Sequence, residues 1–118
     1  MKLKECYTAM NGDYDDVMQR LPREASIIKF LRRFAENQEF NELLEAVGKA
    51  DYERVFELSH DLKGMAANLG IKGLQMKVSD ICEQTRNRVP DEGFGKMVED
   101  AENEYRKVIS AIAELEDV

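Results

Sequence analysis

The chain has 118 residues, 17 basic and 24 acidic side chains, one histidine and a formal charge of −7. The length suits a single domain spanning residues 1–118, because domains cluster at about 100–150 residues. The acidic balance, with no basic run longer than Arg32-Arg33, argues against nucleic acid as a partner. No stretch approaches the ~18 apolar residues of a membrane span, and the first residues lack the apolar stretch of a signal peptide. We therefore expect a cytoplasmic protein without membrane contact, and we expect a monomer.

The residue types that carry metal or nucleotide chemistry are few. Two isolated cysteines, Cys6 and Cys82, make no disulfide framework, and we expect them to be buried or inert. With a single histidine they cannot supply the four closely spaced ligands of a structural zinc site. The chain also lacks the motifs of nucleotide-binding proteins and of α/β hydrolases. These features argue against a hydrolase, a dehydrogenase or an ATP-dependent enzyme.

The N-terminal part is predicted to form two short helices within about residues 2–21. The first runs from Leu3 to Met10 and ends at Asn11-Gly12, and Asp13 can cap the second. Pro22 follows, and we place it in the first turn of the third helix, where its missing N–H costs nothing.

The third segment carries two apolar faces that are about half a turn out of phase at ~100° per residue. The first face consists of Ile27, Ile28, Leu31, Phe34 and Ala35, and the second of Phe40, Leu43, Leu44 and Val47. Either one helix buries both faces or the helix breaks near Asn37. We prefer a break, with Asn37 capping the next segment and Gly48 supplying its stop.

The clearest helix is predicted between Asp51 and Leu69, with Gly70 as its left-handed cap. Its core stripe consists of Tyr52, Val55, Phe56, Ser59, Leu62, Ala66 and Leu69. The next helix is expected to bury Leu74, Val78, Ile81, Cys82 and Thr85. Both sets have the spacing of one helix face.

The last helix follows Pro90, with Asp91 as a candidate cap. Its apolar stripe consists of Phe94, Met97, Val98, Ala101, Tyr105, Val108, Ile112 and Leu115. We expect the core to take up the methionines and the pair Phe30 and Phe34. The solvated face of this helix is expected to carry Glu99, Asp100, Glu102 and Glu104. Four amphipathic helices with short connections predict an all-α, antiparallel four-helix bundle at about residues 23–117.

The sole histidine, His60, lies off the core stripe, about 100° round the helix from Ser59. Its own stripe consists of Glu53, Glu57, His60, Lys63, Gly64 and Ala67. Gly64 is unusual there, since glycine inside a helix costs about 1 kcal/mol relative to alanine. It serves either close helix packing or a bare surface that another backbone can approach. Because Gly64 shares the stripe of His60, we favour the second interpretation.

The chemistry of this stripe suits phosphoryl transfer. A neutral imidazole is a nucleophile near pH 7, and a phosphoryl group placed on it carries about two negative charges. Lys63, one helical turn beyond His60, can offset that charge. An exposed histidine beside a lysine is most often ordinary solvated surface. The bare Gly64 and the small pair Ala66-Ala67 are what favour the functional interpretation.

The segment from Ser59 to Gly70, SHDLKGMAANLG, resembles the signature of histidine-containing phosphotransfer (HPt) domains. The matching residues are His60, Leu62, Lys63, Gly64 and Gly70, and Asn68-Leu69-Gly70 is also typical. The likeness extends over nearly the whole chain. Further stretches that resemble stand-alone bacterial members are Gly12-Asp13-Tyr14, Phe30–Phe34 and Ala50-Asp51-Tyr52.

The resemblance implies a four-helix bundle with extra short N-terminal helices and a role in a bacterial phosphorelay. His60 would take a phosphoryl group from the aspartyl phosphate of one receiver domain, in a response regulator or a hybrid histidine kinase, and pass it to another. Lys63 would stabilise the phosphoryl charge, and Gly64, Ala67 and Asn68 would form the docking face for the receiver. The receiver would supply Mg²⁺ and most catalytic groups, so the chain would be a carrier without a nucleotide site and not an enzyme.

Two alternatives remain beside the carrier. One is an adaptor of the same fold that docks a receiver or another signalling partner without being phosphorylated, and the other is a structural bundle with a chance histidine. The chain also departs from the family at one position. Several members place a Gln or Glu on the following helix to bond the second nitrogen of the histidine, and here that position holds Cys82. Ser79, Glu83 or neither could take its place.

Overall fold

A computed structural model describes residues 1–117 of the protein, and these residues form α-helices and no strand. The helices are α1 (Leu3–Ala9), α2 (Tyr14–Arg20), α3 (Glu24–Glu36), α4 (Glu39–Gly48), α5 (Tyr52–Asn68), α6 (Lys72–Thr85) and α7 (Phe94–Ala113). The all-α prediction is confirmed. No helix among these residues is both long and apolar enough to cross a bilayer.

The bundle is built from α3 and α4 together, α5, α6 and α7. Helix α4 packs against α5, α5 against α6, α6 against α7, and α3 returns to contact α7. The connections at 49–51 and 69–71 are short, which makes successive helices run antiparallel. The predicted four-helix bundle is therefore confirmed, with its first helix divided in two.

The division between α3 and α4 lies at Asn37, as predicted. Asn37 has an extended backbone, and its side-chain oxygen accepts a hydrogen bond of 2.7 Å from the N–H of Glu39. On either side of the break, Phe34 packs edge-on against Tyr105 at 6.3 Å and Phe40 stacks on the same ring at 4.1 Å. The break lets two apolar faces that are out of phase reach one core.

Pro22 is not in the first turn of α3, and that prediction was wrong. Helix α3 begins at Glu24 with Arg23 as its N-cap, so Pro22 lies two residues before the helix. A proline disfavours helical backbone in the residue before it, and Leu21 has φ −130° and ψ 84°. Pro22 therefore ends α2 and does not start α3.

The predicted helix caps are partly right. The side chain of Asp13 accepts from the N–H of Asp16 at 3.0 Å, and Gly70 is left-handed with φ 69°. Helix α4 ends at Gly48, but the left-handed residue that follows is Ala50, with φ 54°. Hydrogen bonds from 50 and 51 back to the carbonyls of 47 and 46 close that turn, so the left-handed position falls two residues beyond the glycine.

Several predicted burial assignments are wrong, among them that of Met76, which is 68% exposed. Phe56 is only half-buried, and Phe30 is 37% exposed, because neither lies on the innermost line of its helix. Glu104 is only 7% exposed, on the same buried face of α7 as Ala101 and Val108. Its carboxylate accepts a hydrogen bond of 2.8 Å from the side chain of Asn11, which makes the burial tolerable.

The two N-terminal helices are fastened to the turn between α5 and α6. The hydroxyl of Tyr7 donates to the carbonyl of Leu69 at 2.6 Å, and the N–H of Asp13 donates to the carbonyl of Gly70 at 2.8 Å. Burial raises the pKa of the Tyr7 hydroxyl. These bonds fix the C-terminal end of α5 against the N-terminal segment.

A charged group completes this junction. The guanidinium of Arg20 donates to the carbonyls of Ala67 and Asn68 at 2.9 and 3.1 Å, and it binds both carboxylate oxygens of Asp16 at 2.8 Å. Lys72 lies 3.2 Å from the same carboxylate. The hydrogen bonds from Arg20, and then those from Lys72, lower the pKa of Asp16 to about 2.

Both cysteines are fully buried, as predicted. Burial raises the pKa of the Cys6 thiol to about 11. Since the thiolate is the reactive form of cysteine, Cys6 is chemically inert near neutral pH.

Candidate functional site

His60 lies in the middle of α5 with its side chain exposed, while the preceding Ser59 is completely buried. Helix α5 begins at a cap in which the side chain of Asp51 accepts from the N–H of Arg54, and it ends at the left-handed Gly70. The core-facing stripe of the helix fixes its rotation. An imidazole one residue off that stripe is therefore presented to solvent.

Gly64 lies one turn beyond His60 and faces open space. A Cβ added at this position would meet no atom within 4 Å outside the local helix backbone, and the backbone there is ordinary right-handed helix. Close packing inside the bundle therefore does not explain this glycine. Ala67 is half-buried and Asn68 is exposed in the next turn, so the surface beside the imidazole carries little side-chain bulk.

Lys63 is half-buried on the same helix, and its charge acts on Glu83 near the end of α6. Glu83, on α6, accepts hydrogen bonds of 3.0 and 3.3 Å from Arg86. The Arg86 guanidinium, and to a smaller extent the Lys63 ammonium, lower the pKa of the Glu83 carboxyl. The structure thus brings a lysine, an arginine and a carboxylate together on one side of the histidine helix.

An aromatic ring joins His60 to this charged group. The ring of Phe56 lies 6.0 Å from the imidazole of His60, with an interplanar angle of 38°. The guanidinium carbon of Arg86 lies 5.0 Å from the centre of the same phenyl ring. Sequence reasoning assigned Phe56 to the core and gave Arg86 no role. The i, i+4 spacing of Phe56 and His60 was the signal that they share a face.

The second nitrogen of the histidine has no partner within residues 1–117, where neither imidazole nitrogen makes a hydrogen bond. Cys82 is completely buried, and Glu83 is engaged by Arg86. Ser79 is half-buried and makes no hydrogen bond to the imidazole. The sequence left three alternatives open, Ser79, Glu83 or neither, and the described residues agree with the third.

A groove of about 490 Å³ lies beside the C-terminal half of α5. Its lining residues are Arg20, Leu21, Phe30, Arg33, Phe34, Asn37, Met65, Asn68 and Leu69. Phe30 supplies an exposed aromatic face to it, and the guanidinium of Arg33 lies 5.8 Å from that ring. The groove was not predicted from the sequence, which placed Phe30 in the core. The available signal was that Phe30 lies one residue off the stripe of Ile27, Leu31 and Phe34.

In the part of the chain that the structure describes, no three His, Cys, Asp or Glu side chains come close enough together to hold a metal ion. The described residues of the site include one imidazole, two cations near it and a helix surface with little side-chain bulk.

Comparison with known families agrees with this arrangement. A model of the Hpt domain matches residues 30–116, which include His60 and all four helices of the bundle for most of their length. The chain belongs to the Hpt domain family. No curated protein and no solved structure gave a match. Hpt domains are phosphocarrier modules that exchange phosphoryl groups with receiver domains in phosphorelays, and they are not kinases.

Proposed function

We propose that the protein is a phosphorelay intermediate in which His60 accepts a phosphoryl group from the aspartyl phosphate of one receiver domain and passes it to another. The observation that carries this proposal is the exposed imidazole of the only histidine, one turn before a glycine that faces open space. Family membership supports phosphotransfer in general, and this helix surface supports His60 as the position of the group.

Transfer of the phosphoryl group from the receiver aspartate to His60 needs no further reactant. The lone pair of the unprotonated ring nitrogen attacks phosphorus, an N–P bond forms, and the P–O bond to the receiver aspartate breaks. The aspartate carboxylate leaves with the electrons of that bond, and the second ring nitrogen carries the proton of the resulting imidazolium or releases it to water. The reverse sequence on a second receiver returns the phosphoryl group to an aspartate.

Lys63 is proposed to offset the charge of the phosphoryl group. It lies one turn from His60 on the same helix, at the spacing where helical side chains meet. A phosphoryl group on the imidazole carries about two negative charges, and an ammonium beside it stabilises that state by charge-assisted hydrogen bonding. The side chain is not a nucleophile here, so its removal should weaken transfer without abolishing it.

The receiver is proposed to dock over Gly64, Ala67 and Asn68 and to extend onto the groove beside Phe30. An apolar groove next to a surface without bulky side chains lets a second protein bring its active site against the imidazole. The Mg²⁺ ion that assists the reaction would be held by the receiver. Its positive charge would act on the phosphoryl oxygens while this chain supplies the nucleophile and Lys63.

A relay experiment distinguishes a carrier from an adaptor. A donor receiver carrying labelled phosphate is mixed with an acceptor receiver and a small amount of this protein. A carrier moves label from donor to acceptor over many turnovers, and His60→Gln abolishes that flow while the variant still binds both receivers. Undiminished flow with His60→Gln, or receiver binding by the wild type without any flow, would contradict the proposal, and the second outcome would identify an adaptor.

A further inference from the structure

Two contacts hold Arg86 close to the histidine and leave its side chain partly exposed. It is the residue that follows α6, with an extended backbone, and its side chain is 46% exposed. The guanidinium donates to one carboxylate oxygen of Glu83 and lies over the ring of Phe56. Phe56 is in turn the aromatic neighbour of His60. The guanidinium and the imidazole therefore both lie beside the same phenyl ring.

Glu83 offsets part of the positive charge on this side of the site. Its carboxylate is bound to Arg86 and feels the charge of Lys63 as well. While His60 is unmodified, Arg86 binds the monoanionic carboxylate of Glu83. A phosphoryl group on His60 would introduce a second anionic partner with about twice the charge and three acceptor oxygens.

We propose that Arg86 is a second phosphoryl-binding cation, held back by Glu83 in the unmodified protein and transferred to the phosphoryl oxygens once His60 carries the group. The inference rests on the proposed function and adds a residue to it. The planar guanidinium can bind two phosphoryl oxygens at once, which an ammonium cannot. In the unmodified protein the Phe56 ring lies beside both the guanidinium and the imidazole, so we expect the exchange to need only a rotation of the Arg86 side chain.

Glu83 then sets the balance between the two states. As long as its carboxylate is present it competes for Arg86 and repels the phosphoryl group. Glu83→Gln should release Arg86 and lengthen the lifetime of phosphorylated His60. Arg86→Gln should shorten it, because a cation on the phosphoryl oxygens stabilises the dianion more than the loose transition state of hydrolysis.

The test uses phosphoramidate as the donor, so that no receiver is needed. The ring nitrogen attacks phosphorus, the P–N bond of phosphoramidate breaks, and ammonia leaves with a proton. After removal of the donor, ³¹P NMR follows the decay of phosphorylated His60 in the wild type, Arg86→Gln and Glu83→Gln. Arg88→Gln is the matched control, since Arg88 is an exposed arginine two residues away that lies 3.7 Å from Asp91.

We expect Arg86→Gln to shorten the lifetime roughly three- to tenfold, the scale of one ordinary net hydrogen bond, and Arg88→Gln to leave it unchanged. In the wild type, the Nε–H resonance of Arg86 should move on phosphorylation and that of Arg88 should not. An unmoved Arg86 resonance with an unchanged lifetime in Arg86→Gln overturns this inference alone. A wild-type protein that takes no phosphoryl group at His60 overturns the proposed function with it.

Discussion

Gly64 and Gly73 both lie inside helices, and their surroundings are opposite. A Cβ added at Gly64 meets no atom within 4 Å, whereas one added at Gly73 would lie 2.9 Å from the Cβ of Asn11 and against the carboxylate of Glu104. The same substitution should therefore change stability in opposite directions at the two positions.

At Gly64, substitution should separate stability from function. Gly64→Ala should raise the free energy of unfolding by up to about 1 kcal/mol, because alanine is the better helix former and has room. Gly64→Gln should keep the melting temperature level or higher and slow phosphoryl transfer from a receiver by roughly tenfold or more, because a misplaced partner loses reaction geometry. The matched control is Gly95→Gln, another helical glycine with open space around it. A destabilised Gly64→Gln protein that transfers at the normal rate would refute this assignment.

At Gly73, alanine should destabilise the fold. The new methyl group would overpack the contact with Asn11 and displace the buried carboxylate of Glu104, at a cost of about 1–3 kcal/mol in the free energy of unfolding. Chemical denaturation of Gly73→Ala beside Gly64→Ala measures the contrast. Equal stability of the two variants would show that the junction of α1, α6 and α7 is looser than the structure has it.

Lys63 should affect transfer and leave folding alone. Lys63→Ala should slow phosphoryl transfer several-fold with little change in melting temperature, because a solvent-accessible lysine contributes little to stability. Lys49→Ala is the control, since Lys49 is an exposed lysine paired with Glu45 at the turn before α5. Rapid-quench kinetics with one phosphorylated receiver gives the comparison. Identical rates for both variants would remove Lys63 from the proposed mechanism.

The sequence pattern was sufficient to predict whether some residues are exposed or buried, and insufficient for others. His60 could be placed on an exposed stripe because periodicity fixes which way each residue of a helix faces. Glu104 was assigned to solvent because of its charge, although it falls on the line of Ala101 and Val108. Its burial depends on Asn11, which lies far away in the sequence. A partner of that kind cannot be predicted from helical spacing.

Among the helices, α1 and α2 act together to hold the end of the histidine helix. Both lie outside the residues matched by the family model, yet their side chains and backbone bind the carbonyls of Ala67, Asn68, Leu69 and Gly70. The existence of these short helices could be predicted from their caps and apolar spacing. Their attachment could not, because it consists of hydrogen bonds to backbone atoms, which leave no trace in a residue pattern.

This junction should make stability depend on acid pH through Asp16. Its folded-state pKa of about 2 lies below the ordinary value of 3.8, so the ionised carboxylate favours the folded state. That contribution is complete above about pH 4 and is lost as the pH falls from about 4 to 2. Thermal melts should show that Asp16→Asn is less stable than the wild type at pH 7 and that the gap closes by pH 2.

Asp15→Asn is the control for that experiment, because Asp15 is an exposed neighbour on the same helix. It should follow the wild type at every pH. A gap between Asp16→Asn and the wild type that persists unchanged at pH 2 would mean that the carboxylate charge is not what holds this junction.

At the scale of the whole molecule, the bundle keeps one face of α5 exposed and supports it from three sides. Helices α4 and α6 pack on its flanks and the N-terminal segment holds its end. The sequence predicted this architecture because the apolar stripes and short connections leave few ways to bury four helices. It did not predict the groove beside Phe30 or the position of Arg86, since both arise where separate helices meet.

The central claim is that His60 carries the phosphoryl group, and its position can be measured directly. The protein is incubated with a phosphorylated receiver and then separated, and intact-mass and fragment mass spectrometry locate the added group. We expect one phosphoryl group per chain, on His60, labile in acid and stable in base, and none on His60→Gln. A phosphoryl group on any other residue, or an equal amount of label on His60→Gln, would contradict it.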